Sequence, residues 1–133
     1  MSAISDLNTL LADMEPRLNR GVFVFATVAE LRNVEIDSVV AMVVEAEGIS
    51  VVMTESDALR QSISFEFRSA WITLTVNSAL EAVGLTAAFA RALGDAQISC
   101  NVIAGNFHDH IFVPVDSADA AMRALQSLQS GAR

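Results

Sequence analysis

The chain has 133 residues, 53% of them hydrophobic, with sixteen acids against eight basic residues and a formal net charge of −8. That length and apolar content support a real core and argue against disorder, and arginines scattered through an acidic background exclude a phosphate-backbone footprint, so no nucleic-acid partner is expected. All eight basic residues are arginine and Cys100 is the single cysteine, which removes Schiff-base chemistry, a pyridoxal-phosphate lysine, a Walker A loop, an intrachain disulfide and a multi-cysteine metal centre from consideration.

No apolar run approaches the roughly 20 residues needed to cross a bilayer, so no membrane span is expected. Asp6 and Asp13 interrupt the N-terminal segment, which does not read as a secretory leader, and the expected location is cytoplasmic. From the N-terminus, Leu7, Leu10, Leu11 and Met14 recur at i, i+3, i+4 and i+7. This spacing predicts a short amphipathic helix, capped by Ser5, halted before Pro16 and laid over the core as a lid. Arg17 and Arg20 follow; as a local pair they could hold one anion, against the plainer reading of two solvated charges. Gly21 opens a strand, Val22 to Val28, apolar on both faces as in a central or interface strand.

For Ile36 to Glu47, residue type and spacing disagree. Val39, Val40, Val43 and Val44 favour a strand locally, while their spacing is helical. Asp37 as a cap and Gly48 as a stop decide for a helix. A strand Ile49 to Thr54, a helical turn Ser56 to Gln61 and an extended Ser64 to Phe67 lead into the second half.

There, Ile72, Leu74 and Val76 alternate with Trp71, Thr73 and Thr75, predicting a strand Trp71 to Asn77 with one core face. Leu85, Ala88, Phe89, Ala92, Leu93 and Ala96 form an apolar stripe, predicting a helix Thr86 to Ala96 with Arg91 and Asp95 on its other side. Ile98, Cys100 and Val102 alternate over a strand Ile98 to Ala104, Gly105 and Asn106 supply turn chemistry, and Phe107 to Val115 returns. A last helix, Ser117 to Leu128, is capped by Asp116 or Ser117 and striped by Ala118, Ala121, Met122, Leu125 and Leu128.

The stretch SALEAVGLTAAFARALGDAQISCNVIAGNFHDHIFVPV resembles the ACT domain, a small βαββαβ regulatory module, and within it the paired-ACT group of small bacterial proteins related to amino-acid sensors. The resemblance is carried by Gly84 at the first helix start, the Gly94 to Ala96 turn, the Ile-Ser entry to the next strand and the closing HDHIFVP. GVFVFATV through EGISVVMT resembles a shortened repeat of the same unit. The resemblance implies an α+β, ferredoxin-like ACT architecture with an antiparallel sheet, helices on one face and two ACT-like halves. The expected division is an N-terminal helix (1–16), a first, shortened half (17–66) and a second half (67–133). It further implies a regulatory or sensing module that binds a small ligand, an amino acid, at the loop leading into the first helix of the second half, and that forms a homodimer.

The chemistry of that loop is legible without the family. Unpaired N–H groups and the helix dipole near Gly84 favour a carboxylate, and glycine leaves the approach open. An ammonium group needs an acceptor, for which Glu81 and Asp109 are the candidates; in the sensors this chain resembles, an acid at the position of Asp109 lies by the ligand. The candidate ligand set is Ser78, Glu81, Val83, Gly84, Gly105, His108 and Asp109. His108 and His110, two apart on a strand, are a weak divalent-metal pair that competes with a purely structural role in the hairpin. Cys100 reads as a core residue, since a reactive thiol needs a base and exposure. No nucleophile, base and acid fall together, so neither an enzyme nor a cofactor is expected. The alternatives are a protein-interaction or dimerisation module with a vestigial ligand site, or a weak metal binder through His108 and His110.

Overall fold

One-sided strands and striped helices can bury their apolar faces only against one another. The computed structural model, which describes residues 6–76 and 83–132, shows how this is done. In chain order the elements are α1 (Leu7–Asp13), β1 (Pro16–Leu18), β2 (Phe23–Val28), β3 (Val39–Glu45), β4 (Gly48–Thr54), α2 (Glu55–Arg60), β5 (Arg68–Leu74), α3 (Leu85–Asp95), β6 (Asn101–Ala104), β7 (Asp109–Pro114) and α4 (Ala118–Gly131). They divide into two units, Gly21–Ser69 and the combination of Met1–Arg20 with Ala70–Arg133. Among the described residues, no helix is long and apolar enough to cross a membrane.

In the unit Gly21–Ser69, β2 lies between β4 and the first residues of β5, with Phe23 opposite Thr54 on one side and Ser69 on the other, both antiparallel. β3 is antiparallel to β4 on the far side. Val24, Ala26, Val28, Val51 and Met53 pack with Val34 and Ala58 as the core. The hydroxyl of Thr54 caps α2 by accepting from the Asp57 N–H at 3.1 Å. The helix expected over Ile36 to Glu47 is corrected: a single 3-10 turn, Ile36–Ser38, leads into β3. The helical spacing of the valines was misleading, because β4 offers a ladder in which Val43 meets Ser50 and Val44 meets Ile49, and β-branched side chains gain more from that pleated pairing than from a helix.

In the other unit, β1 and β6 flank the pair β5 and β7, in the order β1-β5-β7-β6. Leu10 and Met14 of the N-terminal segment, Leu85, Phe89 and Leu93 of α3, and Ala121 and Leu125 of α4 join Ile72, Leu74, Ile111 and Val113 in one core. The three helices therefore cover the sheet face that the alternation marked as apolar, and Cys100 packs against the same core, where burial pushes its thiol pKa up. The cap of α1 is Asp6, whose carboxylate accepts from the Thr9 N–H at 3.0 Å and the Thr9 hydroxyl at 2.8 Å. These bonds hold the Asp6 carboxyl below its ordinary pKa. Pro16 does more than stop the helix: it begins β1, a strand absent from the sequence reading, which sets Pro16 opposite Leu74 and Leu18 opposite Ile72. β7 starts at Asp109, later than the expected Phe107, and Phe107 is left exposed at the hairpin tip.

Candidate functional site

Of the expected ligand residues, Val83, Gly84, Gly105, His108 and Asp109 fall in the unit formed by Met1–Arg20 and Ala70–Arg133. Ser78 and Glu81 lie outside the described residues. Val83 is 84% exposed immediately before α3. Gly84 caps that helix with φ +101° and ψ −22°, a left-handed conformation suited to glycine. A β-carbon at Gly84 would stand 2.9 Å from Leu7 Cδ2. The side chain of Leu7 on α1 thus occupies one approach to the helix start, and a ligand there meets an apolar wall on that side.

The second turn is closed by the Gly105 N–H, which donates to the His108 carbonyl at 2.9 Å. A β-carbon on Gly105 would come within 3.0 Å of that carbonyl and 3.2 Å of His110 Nε2, so the glycine lets the turn fold onto the imidazole. His108 Nδ1 lies 3.2 Å from the Val76 carbonyl. A carbonyl only accepts, so Nδ1 carries the proton and donates; the turn is tied to the chain just after β5, two residues before Ser78. The half-buried Asp109 follows at the start of β7.

His110 has the opposite tautomer. Its Nδ1 is 3.0 Å from Trp71 Nε1, whose N–H can only donate, and 3.2 Å from Thr73 Oγ1. The buried Thr73 hydroxyl oxygen in turn accepts from Asn19 Nδ2 at 2.9 Å, leaving its own proton for His110. Neutral His110 therefore keeps its proton on Nε2. Burial lowers its pKa first, the neighbouring His108 and Arg17 lower it further, and Asp109 opposes them. Metal chelation through both histidines would have to break the Trp71 and Thr73 contacts, and among the described residues no group of three or more His, Cys, Asp or Glu is placed to hold a metal ion.

Trp71, Thr73 and Asn19 are the residues that sequence reasoning missed here. Trp71 and Thr73 share the less apolar face of β5, which was a usable signal; Asn19 gave none, because its position depends on β1. Since the folded state holds the His110 proton less tightly than the unfolded chain, this residue's contribution to stability is complete above the ordinary value of 6.5 and declines as pH falls from there through the lower folded value. An NMR titration is expected to place the His110 midpoint below that of His in an unfolded peptide, and Arg17→Gln should raise it. A midpoint at or above 6.5 would contradict the downward shift and its cause in burial.

An ACT domain profile matches residues 2–70 and a second ACT domain profile matches residues 66–127. The chain belongs to the ACT domain family, with two ACT halves in tandem. No curated protein matches it. A crystal structure of a Vibrio cholerae protein of unknown function, described as a possible transport protein, is 42% identical, with TM-score 0.83 over 92% of this chain and 95% of that one. The ligand-free regulatory subunit of aspartate kinase from Thermus thermophilus gives TM-score 0.61 at 11% identity, over 88% of this chain and 98% of that one. Aspartate kinase from Clostridium acetobutylicum gives 0.64 at 12% identity, over 87% of this chain and 34% of the kinase. At such identities the last two speak for the fold alone.

Proposed function

We propose that this protein is a non-enzymatic regulatory module that binds a small ligand, an amino acid, between the turn leading into α3 and the Gly105–Asp109 turn, and that it works as a homodimer. The observation that carries the reading is the His108 to Val76 hydrogen bond, which ties the second turn to the chain end from which the first departs. In this reading the backbone N–H groups at the start of α3 hold the ligand carboxylate. Asp109, with Glu81, accepts from its ammonium group, and Ser78, Val83, Gly84, Gly105 and His108 line the site. Membership of the ACT domain family supports a regulatory, ligand-binding role.

The test is a thermal-shift and calorimetric screen of the full chain against the standard amino acids. A ligand present at 100 times its Kd should add about 2.7 kcal/mol of stability. Asp109→Ala and His108→Ala should each remove most of that gain while the unliganded protein stays folded. Absence of any amino-acid binding at millimolar concentration would reject the sensing role, and binding indifferent to both substitutions would reject the site.

A further inference from the structure

In the unit formed by Met1–Arg20 and Ala70–Arg133, Ile72, Leu74, Ile111 and Val113 point into the helix-covered core. The residues that alternate with them, Trp71, Thr73, His110 and Phe112, therefore project from the opposite face of the sheet. Arg17 is directly opposite Thr73, and residues so paired share a side. Arg17, Thr73 and His110 thus stand in one row across β1, β5 and β7. Beside the row the Trp71 ring lies 5.6 Å from the His110 ring and stacks on Phe112 at 5.9 Å and 20° between planes.

This row presents donors. Trp71 and Thr73 donate to His110 Nδ1, and Asn19 holds the Thr73 oxygen, so the imidazole proton is fixed on Nε2. Among the described residues Nε2 has no hydrogen-bond acceptor. Every buried polar side-chain atom described is bonded, so the unbonded Nε2 is open to solvent. A β-carbon on Gly105 would stand 3.2 Å from it; the glycine leaves the donor uncovered. Arg17 is exposed and, among the described residues, makes no ion pair. Its charge reaches the ring: the lowering of the His110 pKa, set first by burial and next by His108, has a share from Arg17, against the pull of Asp109. Backbones two strands apart are about 10 Å from each other, a distance that an arginine side chain and one carboxylate span together.

We propose that this sheet face binds the carboxylate of a small organic acid, held between the Arg17 guanidinium and the His110 Nε2–H, with the apolar body of the acid along Trp71. The planar fork of arginine matches a carboxylate, and a neutral imidazole N–H supplies a second, directed bond. The half-buried indole beside the two donors favours a planar apolar body over an inorganic anion, which would use the donors alone. The site asks for no ammonium group, and in this it differs from the amino-acid site at the two turns.

The probe is benzoate, with benzamide as its uncharged counterpart. Neither carries an ammonium group, so the outcome is independent of the sensing role. Benzoate titrated into the 15N-labelled full chain at constant ionic strength should shift the His110 Nε2 resonance saturably and change the fluorescence of Trp71, the single tryptophan; benzamide should do neither. Arg17→Gln should weaken benzoate binding about tenfold or more, the worth of one charge-assisted hydrogen bond. His110→Gln, whose amide keeps an N–H at a similar reach, should bind benzoate more tightly than His110→Phe, with native circular dichroism checked for both. Asp109→Ala should retain benzoate binding. Absence of a saturable shift, an equal response to benzamide, binding indifferent to Arg17→Gln or to His110→Phe, or loss of benzoate binding in Asp109→Ala overturns the proposal.

Discussion

Phe89→Ala is expected to lower the unfolding free energy by about 3 to 5 kcal/mol, the range for emptying a large buried aromatic site. Phe89 has no solvent exposure and is in the same core as Leu10 of α1, Ile72 of β5, Ile111 of β7 and Leu125 of α4. Its ring thus serves a core drawn from three helices and two strands, and a backbone held at so many points relaxes poorly into the space left behind. A urea titration read by far-ultraviolet circular dichroism measures the loss. A change under about 1 kcal/mol would mean that the site collapses around the missing ring, contrary to the close packing of such interiors.

The second large effect is expected at Gly84. Gly84→Ala places a side chain on a backbone with φ +101° and brings its β-carbon to 2.9 Å from Leu7 Cδ2. The left-handed conformation costs a non-glycine residue about 1 to 3 kcal/mol, and the contact with Leu7 adds to that unless the leucine moves. A double-mutant cycle separates the two contributions: in a Leu7→Ala background the contact part should vanish and the backbone part remain, giving non-additivity of about 0.5 kcal/mol or more. Strict additivity would show that Leu7 does not rest on Gly84. Because this substitution disturbs folding, Asp109→Ala and His108→Ala are the cleaner probes of ligand binding.

What could be read in advance followed the range of the forces involved. The stripe through Leu85, Phe89 and Leu93 and the alternation at Ile72 and Leu74 are local records of one buried face, and both elements formed near the expected places. Over Ile36 to Glu47 the local record was contradictory, and the outcome was set by β4, whose pairing no spacing rule within the segment encodes. β1 was invisible for a stronger reason: three residues cannot display a period, and their partners Ile72 to Leu74 lie far along the chain. At the candidate site the turn glycines were visible as local punctuation. The two histidines were not separable in sequence; His108 meets a carbonyl and His110 an indole N–H and a hydroxyl, and those neighbours alone assign opposite protons to the same side chain.

The pairing of β1 with β5 also imposes a timetable on biosynthesis. The unit Gly21–Ser69 is contiguous and can close as soon as it has left the ribosome, since every strand it needs is already made. Residues 16–18 emerge earlier still, yet the strand they join is completed only afterwards, and the helices that bury α1 come later again. The segment before Gly21 therefore lacks its partners until β5 and then α3 and α4 have been made, a long loop closure of the kind that slows folding and prolongs exposure of apolar surface. For the same reason the chain cannot be divided at a single point into two self-sufficient pieces: any cut between the halves parts β1 from the sheet it completes.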